Sequence, residues 1–315
     1  MIEIISPAFL TLIVDHGRYG FGHIGVPPSS AMDRFACRMA GFLLGNRENS
    51  PVLEIMGNDL ALGFSENTAF VITGARVRAT LDDGPVNTWS AINAPKGSVL
   101  KVREIMQGLR YYIGFSGKLG IDPVMGSRTT NLECNFGGFK GRPLMRGDTL
   151  ECTDIRYPVK PAVMSETLIP SMQEPHILRV IAGPEADRFS PASVKFIFDK
   201  KEMAAFKAIA RINRTGIRLD GAPFTFKDDA EQSIISEGIV PGTIQVPPDG
   251  MPIINCVERT IGGYARLAII IDADLDTVAH IKPGDRVFLS LVNIDEATRL
   301  KMARRDAVSF YCKKQ

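Results

Sequence analysis

The clearest apolar period in the chain lies in residues 26–45, where Met32, Phe35, Met39, Phe42 and Leu43 recur at the spacing of one helix face. That spacing predicts a helix over 31–44. The approach is held extended by Pro27 and Pro28. Ser30 stands where an N-cap belongs, Asp33 follows three residues later, and Gly45 closes the run as a C′ glycine. A buried helix here fixes the loop before it, which carries Asp15, His16, Arg18, His23 and Ser29.

Elsewhere the pattern is of short β-branched runs. Residues 69–73 and 77–81 read as two strands bounded by Gly74 and by the turn Asp82-Asp83-Gly84-Pro85. Residues 98–103 and 109–115 read as two more, joined by a hairpin turn at Gln107-Gly108. In the second half, 177–182, 194–198, 267–271 and 286–292 read as strands and 200–210 as a helix. A last helix opens at Asn293 with Glu296 in capping-box position. The fold class expected is mainly β with a few helices. Residues 157–176 contain four prolines and no apolar period, the best linker in the chain. The organisation expected is therefore a domain over 1–160, a Pro-rich linker over 161–176 and a second domain over 177–315. Residues 117–147 are dense in glycine and irregular, and such a long irregular segment is more often functional than accidental.

At 315 residues the chain is long enough for two cores, and its 45% apolar content is that of an ordinary globular protein. The net charge of +2 provides no global basic field, which argues against nucleic acid as a partner. Five scattered cysteines with no C-x-x-C pair fit free thiols in a reducing compartment. No apolar run approaches the ~18 residues of a membrane span, and the N-terminal residues read as a strand. A cytoplasmic protein with no membrane partner is expected. There is no P-loop, no G-x-S-x-G elbow, no H-E-x-x-H and no His/Cys cluster with metal spacing, so no metal is expected. Leu300-Lys301-Met302 has the look of a biotin-attachment tripeptide but sits in a charged helical stretch, where a solvated helix is the better reading.

What remains for chemistry are loops rich in Arg and Gly. Asp15 and Arg18 flank a strand end, where Arg18 can pair with a ligand carboxylate or phosphate, or with Asp15 itself to pin the loop. Arg128 lies between the hydroxyls of Ser127 and Thr129, an oxyanion surface or an ordinary turn. Asn213, Arg214 and Arg218 place two cations four residues apart, for an anionic ligand or for solvent. Gly262-Gly263-Tyr264 lets a backbone approach a substrate, or another strand, closely.

These loops together resemble a known family. D-x-G-R-x-G-x-x-H-x-G-V-P-x-S-x-A-M-D matches Asp15 to Asp33, G-S-R-x-T matches Gly126 to Thr130, and G-G-F-x-G-R-x-L-x-x-G-D matches Gly137 to Asp148. R-x-G-x-R-L-x-G follows at Arg214–Gly221, P-G-x-I-Q-V-P-P-D-G at Pro241–Gly250, and T-x-G-G-Y at Thr260–Tyr264. The pattern resembles the KipA-like family, which includes the C-type subunit of 5-oxoprolinase, allophanate hydrolase subunit 2 and the matching half of the urea carboxylase carboxyltransferase domain.

The resemblance implies two cyclophilin-like β-barrel domains and a KipI-like partner subunit, with a LamB/YcsF-like subunit as a further one. It implies a small-molecule amide or carboxylate substrate, and either ATP used by the complex or carboxybiotin supplied in trans, with no covalently bound cofactor. Under it, Asp15, Arg18 and Arg259 are candidate catalytic residues. Ser29, Asp33, Arg128, Asn213, Arg214, Arg218, Gly262, Gly263 and Tyr264 are candidate substrate contacts. An ATP-dependent 5-oxoprolinase-type reaction ranks first, biotin-dependent carboxyl transfer second. The chain departs from the family pattern at Val14, Ser30, Thr215, Ile217, Val257, Arg259 and Ile261. A cation at Arg259, where the family has a neutral amide, favours a more anionic ligand. The same departures fit a catalytically decayed, KipA-like regulatory binding protein.

Overall fold

Strand Val99–Phe115 is the spine of the first half of the structure, a computed structural model that describes residues 1–198 and 205–314. Its beginning pairs antiparallel with Leu60–Phe64 and its end with Val52–Met56, while Thr68–Leu81 runs along its other edge. A strand that changes partner along its length must bend. Register shifts between Gly74 and Ala79 take up that bend. The two strand pairs expected here are therefore two continuous strands. Gly74 (φ 77°) and Gly108 (φ 82°) sit at bulges, with positive φ as turn glycines have, but the chain does not reverse. A Cβ on Gly74 would lie 2.8 Å from the Arg110 carbonyl oxygen, so the glycine permits the close crossing. The reversal at 82–85 is present, with Asp82 and Asp83 both left-handed and Leu81 paired to Gly84. Leu10–Val14 adds to the sheet beside Val52–Met56, and Ile2–Ser6 beside Leu60–Phe64.

Helix α1, Arg34–Leu43, packs Phe35, Ala36, Met39, Ala40 and Leu43 onto this curled sheet. Gly114 leaves room for it, since a Cβ there would lie 3.2 Å from the Ala40 Cβ. The cap is Asp33 and not Ser30: Asp33 Oδ1 accepts from the Ala36 amide at 2.7 Å, whereas the Ser30 hydroxyl donates to the Ala31 carbonyl at 3.2 Å. A carboxylate one residue before the first turn also complements the helix dipole, which the serine does not. Gly45, at φ 63°, ends the helix as expected. Asp33→Ala is expected to cost about 1 kcal/mol of stability through loss of this cap, measurable by urea denaturation.

In the second half, hydrogen-bonded neighbours run His176–Ala182, Arg286–Leu291, Ala205–Ile212, Gly216–Asp220, Ile253–Asn255, Thr243–Val246, Ile261–Ile270. His176–Ala182 also pairs with Ile261–Ile270, so the ladder closes on itself. Ser233–Gly238 joins from outside, along Ile261–Ile270 alone. Inward side chains such as Ile217, Leu219, Ile244, Val246, Ile254 and Ala265 are fully buried. Two expectations are corrected. Residues 194–198 are the end of helix α2, Pro191–Phe198, and not a strand. Its start carries a signal in the sequence, a Ser190 hydroxyl accepting from the Ser193 amide at 3.3 Å and a proline in the first turn. The helix expected over 200–210 falls partly on 199–204, outside the described residues, and its remainder is strand Ala205–Ile212. Helix α3, Ile294–Lys314, is capped by Asn293, whose Oδ1 accepts from the Glu296 amide at 2.8 Å.

Strand outweighs helix, 39% against 16%, so the chain is mainly β. It divides into two compact units, Met1–Arg18 with Ser29–Pro170, and Tyr19–Pro28 with Ser171–Lys314. No helix among the described residues is long and apolar enough to cross a membrane.

Candidate functional site

In the first unit the candidate residues form a buried polar knot. Asp15 is fully buried, and its carboxylate accepts from the Gly17 amide at 2.8 Å, the Ser127 hydroxyl at 2.5 Å and the Arg128 amide at 2.7 Å. Arg18 is also buried. It donates from Nη2 to the Thr129 carbonyl at 2.6 Å, and its guanidinium lies 4.6 Å from the Phe136 ring centroid. Both side chains thus hold the segment 127–129 against the end of strand Leu10–Val14. Ser29 belongs to the same knot, its carbonyl accepting from the Thr129 hydroxyl at 2.5 Å and its own hydroxyl from Asn131 at 3.0 Å. Asp33 caps α1. Arg128 alone of this group is half-exposed, with Nε donating to the Ile121 carbonyl at 2.8 Å. The knot is a scaffold, and its carboxylate and hydroxyls are already engaged.

The second unit holds an open cavity of about 380 Å³ on the outer face of its closed ladder. Side-chain alternation builds it. While Ile217, Ile244, Ile254 and Ala265 point inward, Arg218, Gln245, Ile253, Asn255 and Tyr264 face the cavity from the same strands. The hairpin between Ala205–Ile212 and Gly216–Asp220 supplies Arg211, Asn213 and Thr215, and the turn before Ile261–Ile270 supplies Arg259.

Two buried amides form the floor. The Gln245 amide donates to the Tyr264 carbonyl at 2.9 Å and accepts from Asn255 Nδ2 at 3.1 Å, and Nδ2 also donates to the Thr243 carbonyl at 3.0 Å. This geometry leaves the Asn255 carbonyl oxygen as an acceptor and the second Gln245 N–H as a donor. Three arginines line the cavity above. Arg218 pairs with Asp249 (Nη2–Oδ2 2.8 Å), while no carboxylate among the described residues is within ion-pair distance of the exposed Arg211 and Arg259. Asn213 turns its side chain back to its own hairpin, accepting from the Thr215 and Gly216 amides at 2.9 Å each.

Of the candidates from sequence, the structure brings Asn213, Arg218, Arg259 and Tyr264 to this cavity. Gly262 lies beneath it: a Cβ there would sit 2.8 Å from the Gln245 side-chain carbon. Gly263 is the next residue of the same strand, beside Ser236 of the neighbouring strand. Arg214 turns away, buried in an ion pair with Glu258 (3.1 Å, side chains 3% and 2% exposed). Arg211, Gln245 and Asn255 are not among the candidates from sequence. A period-2 reading of 243–246 and 253–255 would have placed Gln245 and Asn255 on the outward face.

A family model described as "Carboxyltransferase domain, subdomain A and B" matches residues 24–291. The chain belongs to the carboxyltransferase-domain family. Among family members it is 32% identical over 312 residues to the C-type subunit of 5-oxoprolinase from Escherichia coli, covering 99% of this chain and 96% of that one. The Haemophilus influenzae protein of the same name is 30% identical, with 96% and 94% covered. Among solved structures, the Kluyveromyces lactis urea amidolyase superposes with a TM-score of 0.89 at 27% identity over 98% of this chain. The chain spans about a fifth of that enzyme, 20% of its length. The cavity lies wholly inside the carboxyltransferase-domain match, whereas Asp15 and Arg18 precede it.

Gly262→Ala tests the floor. The new methyl displaces the Gln245 amide and is expected to weaken ligand binding about ten-fold, the effect of one lost hydrogen bond to a charged or polar ligand. Binding by calorimetry and melting temperature, measured together, separate this from unfolding.

Proposed function

We propose that this chain belongs to a heteromeric complex that opens a cyclic amide, converting 5-oxoproline to glutamate at the expense of ATP. The observation that carries the reading is the cavity floor beneath its arginines. A lactam presents one N–H donor and one C=O acceptor in a plane, and Asn255 Oδ1 with the remaining Gln245 N–H complements that pair. The arginines suit the carboxylate such a substrate carries. A donor fixed in advance at the amide oxygen stabilises the charge that develops there as the ring opens. The likeness in length and sequence to the C-type subunits of 5-oxoprolinase ranks this reaction first.

In this reading the chain binds and orients the lactam, and a KipI-like subunit, with a LamB/YcsF-like one, provides the remaining groups. ATP supplies the driving force for ring opening, and the sequence has no P-loop to hold it here. A second reading, carboxyl transfer from carboxybiotin to an amide-type nitrogen, draws on the likeness to urea amidolyase. The same floor fits the planar ureido group of biotin.

The complex reconstituted with its partner chains is expected to release glutamate only with ATP and 5-oxoproline together. Asn255→Ala, which removes the floor acceptor, is expected to lower kcat/KM by about ten-fold or more with the complex intact on gel filtration. No glutamate release, together with consumption of carboxybiotin, overturns the first reading in favour of the second.

A further inference from the structure

The charges around the cavity do not suit a ligand with one anionic group. Arg211, Arg218 and Arg259 all line it, and the side chain that answers them is Asp249, on Arg218 alone. Asp249 sits on an exposed turn with its side chain 51% exposed, and it also borders a second cavity lined by Phe224 and Lys227. The Nε of Arg218 is buried and has no hydrogen-bond partner among the described residues, so Asp249 engages only one side of the guanidinium fork. Three cations against one carboxylate leave a surplus of two. An arginine left without a counter-ion in a concave, partly desolvated site is stabilised when a ligand brings one.

We infer that the cavity selects a ligand carrying two anionic groups, a carboxylate together with a second carboxylate or phosphoryl group, and that Arg259 determines this preference. Asp249 is the internal competitor that such a ligand displaces from Arg218. The inference deepens the reading given above and rests on the same cavity. A lactam acid brings one carboxylate, and a second anion appears when its amide is activated or opened, so the surplus charge favours the species further along the reaction. Arg211 and Arg259 then hold the new anion while the floor amides hold the remainder of the molecule.

The test compares isosteric probes by isothermal calorimetry on the intact chain: glutarate with two carboxylates, its monoamide glutaramate with one, and 3-phosphonopropionate for the phosphoryl alternative. Glutarate or the phosphonate is expected to bind about ten-fold tighter than glutaramate, the tighter of the two naming the second group. Arg259→Gln is expected to weaken the dianions about ten-fold and glutaramate by less than about two-fold, whereas Arg259→Lys keeps the preference. Asp249→Asn is expected to tighten the dianions several-fold. Arg259 and Asp249 are both exposed, and an unchanged melting temperature confirms folding of each variant. Equal affinity for all three probes, binding of none, or equal losses for all on Arg259→Gln would overturn the inference. Glutamate release by the complex is measured separately, so a dianion preference without turnover sinks the proposed reaction and leaves this inference standing.

Discussion

Glu258→Gln, with Arg214 left in place, is expected to destabilise the second unit by about 3–5 kcal/mol, the usual cost of stranding one member of a buried ion pair. The two side chains are almost fully enclosed and meet at 3.1 Å, and the backbone ties the same residues together through the Glu258 amide and Arg214 carbonyl at 3.0 Å. Taking the carboxylate away leaves a guanidinium in a site with little water to solvate it. Urea denaturation followed by circular dichroism measures the loss. The double variant Arg214→Met with Glu258→Leu removes both charges and is expected to lose less than either single change, since two apolar side chains need no counter-ion. An Arg214 that served the ligand would behave otherwise: Arg214→Met would fold normally and lose binding alone.

Asp15→Ala is expected to be nearly as severe, about 3 kcal/mol or more, because its carboxylate gathers three donors that no water can replace at zero exposure. Asp15→Asn keeps the shape but turns an N–H toward a donor, and is expected to lie between alanine and the native residue. The segment 127–129 comes loose from the strand end in both. A protease-resistance assay at that segment, with the melting temperature, reads the effect. The first unit is thus expected to depend on Asp15 for folding, while its variants keep the ligand affinity of whatever fraction remains folded.

The sequence shows some of this plainly and hides the rest for physical reasons. Helix α1 is legible because its apolar side is continuous over three turns, and the final helix because Asn293 and Glu296 mark its start. The long strands Thr68–Leu81 and Val99–Phe115 are misread as pairs because Gly74 and Gly108 are turn residues by type and bulges by context. Only the partner strands decide which. Residues 194–198 show the ambiguity of a short apolar run, which suits a strand or a buried helix equally. In the site, Arg259, Arg218, Asn213 and Tyr264 stand out as polar groups in glycine-rich loops. Arg214 stands out for the same reason and is deceptive, since its ion-pair partner lies 44 residues away. Gln245 and Asn255 escape notice because one polar residue among β-branched neighbours looks like an ordinary outward position. The family resemblance names the right segments without telling which of their side chains turn inward.

Along residues 243–246 and 253–255, every second side chain belongs to the packed interior and the ones between belong to the cavity. Stability and recognition are thereby assigned to opposite sides of a single wall. A change of ligand can be written on the outside, one arginine for one amide, without disturbing what holds the wall up. Such a surface is free to vary its chemistry while its architecture stays fixed.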